Sequence, residues 1–240
     1  MNQKAMKIST QTPIKTCPEP EIFESVLSLN NQNILELGCG DATLTRLIAT
    51  TGTNRTITAT EVDTIQHQKN LLIDDLPMVT FKLAGSEDIP APDSSFETVF
   101  MFKSLHHVPI ELMDRALDEI KRVLKPNGMA YISEPVFAGD FNEVLRLFHD
   151  EETVRQAAFA AIQKSVDSGK LALANELFFN TPVIFESFSQ FTEKVIGATH
   201  SEHNLSDELL IKVEQKFNEY HASHGGNFLI PIRVDLLQKL

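Results

Sequence analysis

The chain has 240 residues, of which 42% are hydrophobic and 22% are charged, a composition typical of a globular protein. Its 21 basic and 33 acidic residues give a formal net charge of −12. This balance argues against nucleic acid as a partner, because such partners are bound through clustered lysine and arginine. The two cysteines, Cys17 and Cys39, form no CxxC pair and no disulfide framework, which favours a reducing compartment.

The sequence shows no sign of export or membrane insertion. Its polar beginning, residues 1–16, has no apolar core of signal-peptide length. No apolar run approaches the ~20 residues that a membrane span requires. We therefore expect a cytoplasmic protein with no membrane partner.

The first 30 residues predict an extended arm followed by a short helix. Prolines and small polar residues favour the arm over residues 1–18. Glu19-Pro20-Glu21 then places acids and a proline in a first helical turn, where both are favoured. Apolar residues at helical spacing continue this helix to about residue 29, directly before a predicted strand at 33–37.

The stretch Ile34–Thr45 predicts a strand, a glycine turn and the start of a helix. Its first four residues form a short apolar run, which suits a buried strand. Gly38 and Gly40 allow the backbone to turn sharply and leave no Cβ atom in the way of a ligand. A helix that starts after such a turn presents unpaired N–H groups, against which a ligand can lie.

This stretch resembles the first motif of class I S-adenosylmethionine (SAM) methyltransferases, an acidic residue followed by alternating glycines. Glu36, Gly38 and Gly40 fit that pattern, and Ala42 replaces the third glycine. Two other interpretations stay open. A dinucleotide-binding loop requires a glycine where this chain has Thr43, and a glycine turn without any ligand is the simpler structural explanation.

A second strand is predicted at 55–61, where β-branched residues end in an acid. A carboxylate at this place can accept two hydrogen bonds from the hydroxyls of a ribose. Glu61 is the first choice for that role and Asp63 is the alternative. A solvated carboxylate without a ligand is the structural explanation that competes with both. A helix is predicted to follow at 64–75.

Two further strands are predicted at 78–83 and 98–102. Between them, residues 84–97 combine a small-residue turn, an acidic pair and an aliphatic residue before proline. This segment resembles the second motif of the same family, which implies that residues 85–87 flank adenine. The family often has an acid at the position that Gly85 occupies here.

The fourth strand is almost wholly apolar, which fits a strand buried on both faces of a parallel sheet. It leads into Lys103-Ser104-Leu105-His106-His107-Val108-Pro109, which is again similar to the family. Side chains at this edge of an open α/β sheet face the ligand crevice. His106 or His107 is therefore expected to act as a base or to orient a substrate, and capping or packing of the loop is the alternative.

A helix predicted at 111–125 carries one apolar stripe and ends in a proline–glycine stop at 126–128. A fifth strand at 129–133 follows. Strands that alternate with helices imply right-handed crossovers and a mainly parallel sheet. The resemblance covers residues 33–135 and implies an α/β fold, the Rossmann-like sheet of class I methyltransferases. That sheet is mostly parallel, with seven strands and an antiparallel C-terminal hairpin.

Beyond residue 135 the pattern predicts more helices and two strands. Helices are predicted at 141–148, 151–166, 170–177, around 188–196 and at 206–221, and strands at 178–186 and 228–237. We expect a single domain over residues 1–240. Its parts are the N-terminal arm and helix (1–30), the SAM-binding core (31–135), a helical insert after the fifth strand (136–177), and the sheet edge with helices (178–240).

The resemblance also implies which residues form the site. The implied cofactor-binding residues are Glu36, Gly38, Cys39, Gly40, Asp41, Glu61, Val62, Gly85, Ser86, Glu87 and Lys103. The implied catalytic residues are His106, His107 and Glu134. No metal site is predicted.

We therefore expect a SAM-dependent methyltransferase that acts on a small-molecule acceptor as a monomer or homodimer. The sulfonium is already a good leaving group, so such an enzyme contributes mainly by aligning the two reactants. Two alternatives stay open at this point. One is a non-catalytic SAM-binding partner of another subunit, and the other is an NAD-dependent oxidoreductase.

Overall fold

The computed structural model describes residues 5–10, 14–197 and 205–240, so residues 1–4 and 11–13 of the predicted arm lie outside the described residues. The strands are β1 (Lys15–Thr16), β2 (Asn33–Leu37), β3 (Thr56–Glu61), β4 (Val79–Leu83), β5 (Phe96–Phe102), β6 (Leu124–Pro135), β7 (Ala172–Ile184) and β8 (Asn227–Gln238). The helices are α1 (Glu19–Val26), α2 (Thr43–Thr51), α3 (Thr64–Asn70), α4 (Ile110–Val123), α5 (Asp140–Leu145), α6 (Glu152–Asp167), α7 (Phe188–Phe191) and α8 (Asp207–His224). A 3₁₀ turn spans Leu105–His107, and a π-helical turn spans Thr192–Ile196.

The strands form one eight-stranded sheet in the order β1-β7-β8-β6-β5-β2-β3-β4. Strands β2 to β6 pair in parallel with their neighbours, whereas β8 lies antiparallel between β6 and β7. The predicted Rossmann-like sheet, mostly parallel with an antiparallel C-terminal hairpin, is therefore confirmed. The strand beyond the predicted seven is β1, a two-residue piece of the arm that pairs in parallel with β7.

Strand β5 shows how the sheet divides the core into two layers. Because successive side chains of a strand point to opposite faces, Val99 and Met101 join one hydrophobic cluster, and Phe100 and Phe102 join the other. Helices α4 and α6 cover the first face, and α1 contributes Phe23 to the second. Burial on both faces explains why this strand is almost wholly apolar.

The helix predicted at 170–177 is wrong, because this segment belongs to strand β7. Helix α6 ends at Asp167, and Gly169 follows with a φ of +72°, a conformation that closes helices. The chain then pairs with β8, with Leu173 opposite Leu237. Backbone hydrogen bonds to a neighbouring strand thus override a weak helical spacing. The helical part of the insert accordingly ends at α6.

Other predicted boundaries shift by a few residues. The helix predicted at 64–75 is shorter, because α3 ends at Asn70. The strand predicted at 178–186 is part of the longer β7, and β1 covers its outer side at Phe179 and Asn180. Pro182 lies just beyond this covered part, where a missing backbone N–H is tolerated.

A third hydrophobic cluster, rich in phenylalanine, lies beside the sheet. It joins α5, α7, α8 and the start of β8 through Val144, Phe185, Phe191, Val213, Phe217 and Phe228. Phe191 and Phe217 have ring centroids 5.1 Å apart, and Phe217 and Phe228 have centroids 5.3 Å apart. The many phenylalanines of the C-terminal part therefore build core, which anchors the helices around the insert.

Candidate active site

The glycine loop after β2 is shaped by contact on one side and open space on the other. Gly38 and Gly40 have φ values of +70° and +53°, which favour glycine. A Cβ atom on Gly38 would lie 2.9 Å from the Cβ of Ser104, whereas no atom lies within 4 Å of one on Gly40. Gly38 therefore lets the loop after β5 approach, and Gly40 leaves room for a ligand.

Glu61, at the end of β3, holds this loop through its carboxylate. Its Oε2 accepts a hydrogen bond from the Gly40 N–H at 2.8 Å, and its Oε1 accepts from the N–H groups of Val62 and Asp63 at 2.8 and 2.9 Å. A carboxylate has about four acceptor positions, so one position on Oε2 stays available to a ligand hydroxyl. Val62 beside it is 65% exposed, an apolar surface next to a polar anchor.

Asp63, the alternative acid, has a different structural role. Its carboxylate accepts hydrogen bonds from the N–H groups of Ile65 and Gln66 at 2.8 and 3.2 Å. It is thus the N-cap of α3. This engagement favours Glu61 as the residue that meets a ribose.

Glu36 lies beneath the glycine loop and is only 2% exposed. Thr45 donates a hydrogen bond from Oγ1 to its Oε2 at 2.6 Å. Burial raises the pKa of Glu36 to about 8, because the charged form loses its hydration. Glu36 therefore carries a proton at neutral pH as the site stands.

Cys39 and Asn70 hold the same loop from the side of α3. Asn70 donates from Nδ2 to the Gly40 carbonyl at 2.8 Å. Burial raises the pKa of the Cys39 thiol, so the thiol stays protonated and is no nucleophile. Asn70 is a loop-positioning residue that the sequence did not indicate, because it is fixed only by the packing of α3 on the loop.

The loop after β4 carries the three residues predicted to flank adenine. A Cβ atom on Gly85 would lie 2.4 Å from the carboxylate of Glu87, so the Glu87 side chain packs against the space that a larger residue would fill. Ser86 is only 7% exposed, and its hydroxyl has no hydrogen-bond partner among the described residues. A buried hydroxyl without a partner fits a polar ligand atom at this place. The open space at Gly40, the Glu61 carboxylate and Ser86 together fit a nucleoside.

Lys103, directly after β5, connects this edge to the N-terminal helix. Its φ of +51° turns the chain, and its Nζ lies 2.5 Å from Oε2 of the buried Glu19. Tyr131 donates from its hydroxyl to the other carboxylate oxygen of Glu19 at 3.5 Å. Helix α1 therefore begins at the ligand edge of the sheet.

His106, in the 3₁₀ turn, is held between two carboxylates. Its Nδ1 lies 2.5 Å from Oε2 of Glu134, and its Nε2 lies 3.5 Å from Oε1 of Glu151. Glu134 also accepts a hydrogen bond from the Leu105 N–H at 2.9 Å. Burial lowers the pKa of His106, but the charges and hydrogen bonds of the two carboxylates outweigh burial and raise it to about 9. Glu134 thus lies behind His106 and orients it.

Glu151 is the centre of a buried network that was not predicted from the sequence. Arg155 approaches its Oε2 at 2.5 Å, and Nε2 of His149 lies 2.9 Å from its Oε1. Burial raises the pKa of Glu151, but His106, Arg155 and His149 outweigh burial and hold it far below its usual range. The one signal in the sequence was the spacing of Glu151 and Arg155 by four residues at the start of a predicted helix.

A cavity of about 240 Å³ opens beside His106. Its walls come from the loop after β5, from the insert, and from the segments around residues 194 and 230. The lining residues are Lys103, His106, His107, Pro135, Val136, Ala138, Phe141, Asn142, Leu145, His149, Glu151, Arg155, Lys194, Val195 and Ile230. The insert therefore lies at the ligand edge of the sheet and not at its opposite end.

The predicted site residues thus meet along one edge, because the parallel strands β2 to β6 all end there. The glycine loop and Ser86 follow β2 and β4, and His106 and His107 follow β5, while Glu61 ends β3 and Glu134 lies near the end of β6. Among the described helices, none combines the length and the apolar character that crossing a lipid bilayer requires.

Comparison with known proteins agrees with this geometry. Residues 35–132 match the family described as a methyltransferase domain. The O-methyltransferase rstn1 of Aspergillus nomiae is 34% identical over 140 residues, which cover 54% of this chain and 59% of that protein. The uncharacterized methyltransferase YcgJ of Bacillus subtilis is 26% identical over 46% of this chain and 45% of its own length. The chain thus spans about half the length of the curated relatives it matches.

Solved structures share the whole architecture at low identity. The structure of YcgJ superposes with a TM-score of 0.63 at 16% identity, and covers 92% of this chain and 97% of that chain. Phosphoethanolamine N-methyltransferase 2 of Haemonchus contortus, in complex with SAM, gives 0.54 at 13% identity over 91% and 51% of the two chains. The match to a methyltransferase domain covers residues 35–132, and these solved structures show that the chain shares their fold.

Proposed function

We propose that this chain transfers a methyl group from SAM to a small-molecule acceptor. The observation that carries the proposal is the hydrogen bond between the Glu61 carboxylate and the Gly40 N–H, at 2.8 Å. It joins the ribose-binding acid to the glycine loop, at an edge where Gly40 faces open space. The relative from Aspergillus nomiae is itself named an O-methyltransferase.

Three loops would hold the cofactor. Glu36 and the glycine loop, residues 38–41, would hold the methionine end, with Lys103 at their side. Glu61 would accept from one ribose hydroxyl at its remaining acceptor position, and Val62 would offer apolar contact. Residues 85–87 would flank the adenine, with the unpartnered hydroxyl of Ser86 available to one of its polar atoms. When bound, SAM supplies an electrophilic methyl group on a positively charged sulfur.

The cavity beside His106 would hold the acceptor. In the proposed reaction, an acceptor nitrogen, oxygen, sulfur or carbon forms a bond to the methyl carbon while the sulfur–carbon bond breaks. An acceptor that carries a proton on that atom releases it. The chain contributes alignment of the two reactants, which supplies several kcal/mol of barrier reduction. The net charge of −12 and the cavity volume of about 240 Å³ both favour a small molecule over a nucleic acid.

Labelled SAM tests the proposal directly. The purified chain is incubated with methyl-labelled SAM and fractionated metabolite pools, and transfer of label to a small molecule is the expected result. Calorimetry with SAM and NAD runs in parallel. Tight NAD binding without SAM binding would overturn the proposal in favour of an oxidoreductase. SAM binding without transfer to any pool would overturn the catalytic part, and would favour a non-catalytic SAM-binding partner.

A further inference from the structure

Three side chains next to the cavity form a group that the proposed methyl transfer does not itself require. One ligand atom each from His106, His107 and Glu151 lies within 4.8 Å of the other two. The ring centroids of the two histidines are 4.1 Å apart. Two imidazoles and one carboxylate form a donor set that binds Zn²⁺, Fe²⁺ and related divalent ions.

The separation of two atoms in this group suits neighbouring ligands of one ion. Nε2 of His106 and Oε1 of Glu151 are 3.5 Å apart, which is at the outer limit for a hydrogen bond. A zinc ion lies about 2.0–2.2 Å from each nitrogen or oxygen ligand, so two neighbouring ligands stand roughly 3–3.5 Å apart. The observed separation therefore matches that of two neighbouring ligands which contact the same ion.

Buried neighbours already orient two of these ligands. Glu134 occupies Nδ1 of His106 at 2.5 Å and leaves Nε2 toward Glu151. Arg155 occupies Oε2 of Glu151 at 2.5 Å, while Oε1 is the oxygen nearest to His106. Metal-binding histidines and carboxylates are typically held by such outer hydrogen bonds, which fix the ring tautomer and the ligand direction.

The position of the group also fits a catalytic ion. His106, His107 and Glu151 all line the cavity. Three protein ligands leave at least one coordination position open to a substrate or water. His149 lies 2.9 Å from Oε1 of Glu151 and lines the same cavity, so it would stand next to an ion bound there.

We propose that His106, His107 and Glu151 bind a divalent first-row transition-metal ion at the wall of the acceptor cavity. Its role there would be to polarise an acceptor atom as a Lewis acid. That role rests on the proposed methyl transfer, whereas the metal site itself does not. No metal site was predicted from the sequence, because Glu151 meets the two histidines only in the folded structure.

The test is a titration of the chelator-treated full chain with Co²⁺, in the absence of SAM, followed by visible absorption and calorimetry. One Co²⁺ per chain is expected, with an absorption band of a nitrogen- and oxygen-ligated ion. Mg²⁺ should not compete, since it prefers all-oxygen sites. Glu134→Gln removes only the carboxylate behind His106 and should weaken Co²⁺ binding by about 10–100-fold. His107→Ala and Glu151→Gln should weaken it by more.

Glu152→Gln is the matched control, because Glu152 directly follows Glu151 as the first residue of α6, is exposed and lies outside the group. His107 is exposed, so His107→Ala is expected to fold even if Glu151→Gln does not, and thermal unfolding of each variant checks this. Absence of a Co²⁺ band in the full chain would overturn the proposal. So would a band that survives both His107→Ala and Glu151→Gln. A chain that binds Co²⁺ but not SAM would overturn only the proposed function.

Discussion

At the scale of single residues, Glu61 links the ligand edge to the backbone. Its carboxylate accepts from three backbone N–H groups, and a ribose hydroxyl would add a further hydrogen bond. Hydrogen bonds to a charged group contribute about 1.5–3 kcal/mol each. We therefore expect Glu61→Ala to weaken SAM binding at least about tenfold in calorimetry.

Asp63→Ala is the matched control for Glu61→Ala. Loss of an N-cap costs about 0.5–2 kcal/mol of stability, so this variant should unfold at a lower temperature while SAM affinity changes little. If Asp63→Ala weakens SAM binding and Glu61→Ala does not, the ribose-binding acid has been assigned to the wrong residue. Thermal unfolding of both variants separates a lost ligand contact from a lost fold.

Glu36 predicts a pH dependence of stability. Its pKa in the folded chain is about 8, against an ordinary value of 4.5. Between these two values the folded chain keeps a proton that the unfolded chain has lost. The contribution of Glu36 to stability is therefore full below about pH 4.5 and falls as pH rises toward 8, by at most about 1.4 kcal/mol per pH unit.

Glu36→Gln tests this, because glutamine keeps the shape and removes the titration. In the absence of ligand, the variant should lose less stability than the parent chain between about pH 5 and pH 8. Urea unfolding at each pH measures the difference. Glu193→Gln, at an exposed position, should follow the parent chain. If the unfolding free energies of Glu36→Gln and of the parent chain depend equally on pH, the raised pKa of Glu36 is contradicted.

The residues that sequence reasoning found and missed differ in one physical respect. The glycine loop, Glu61 and His106 each follow a strand at short range, so local pattern and the edge rule of parallel sheets locate them. Glu151 and Asn70 act on partners that are distant along the chain, His106 for Glu151 and Gly40 for Asn70. Nothing in the sequence around them fixes that distance, because it depends on how α3 and α6 pack.

At the scale of elements, segments with a strong sequence pattern were predicted correctly, and a segment with a weak pattern was not. Strands β2 to β6 and helix α4 were predicted from runs of apolar or β-branched residues and from an apolar stripe. The segment 170–177 was predicted as a helix although its helical spacing is weak. Pairing with β8 makes this segment a strand. Such long-range pairing cannot be recognised from a short stretch of sequence.

From the position of the insert, we expect that substitutions in it change acceptor binding without changing SAM binding. Phe141 and Leu145, on α5, line the cavity, while the glycine loop and Glu61 follow β2 and β3. Phe141→Leu and Leu145→Met keep an apolar side chain of similar size, so stability should change by less than about 1.5 kcal/mol. Both should change the KM for the acceptor found by the labelled-SAM screen, with SAM affinity unchanged.

Leu147→Ala serves as the control for these variants, because Leu147 follows α5, is 39% exposed and does not line the cavity. It should leave KM as it is. Variants of Phe141 and Leu145 that alter SAM affinity and spare acceptor KM would assign the insert to the cofactor. In that case the N-terminal arm and the loop at 103–109 would have to recognise the acceptor.

The phenylalanine-rich cluster is expected to hold the C-terminal helices through packing alone. Phe217 is 1% exposed and contacts Phe185, Phe191 and Phe228. Truncation of a buried phenylalanine costs about 3–5 kcal/mol. Phe217→Ala should therefore lower the unfolding temperature strongly, whereas Ile211→Ala on the exposed side of α8 should not. Similar unfolding temperatures for the two variants would show that the cluster contributes little.

At the scale of the whole molecule, the sheet order separates two tasks. Strands β2, β3 and β4 end in the loops that we propose to bind the cofactor, and β5 and β6 lead to the cavity and the insert. The two halves meet at Ser104, whose Cβ would touch a Cβ on Gly38 and whose hydroxyl donates to the Leu37 carbonyl at 3.0 Å. A reaction between two bound molecules needs such a shared boundary.

Ligand-induced stabilisation tests the cofactor assignment for the molecule as a whole. A ligand that binds only the folded chain stabilises it by about 2.7 kcal/mol at a hundredfold excess over its Kd. SAM and S-adenosylhomocysteine should raise the unfolding temperature, and NAD should not, because Thr43 stands where a dinucleotide loop requires glycine. Glu61→Ala should reduce the shift given by SAM at equal concentration. A shift with NAD and none with SAM would contradict the assignment, since the same edge of the sheet would then serve a dinucleotide.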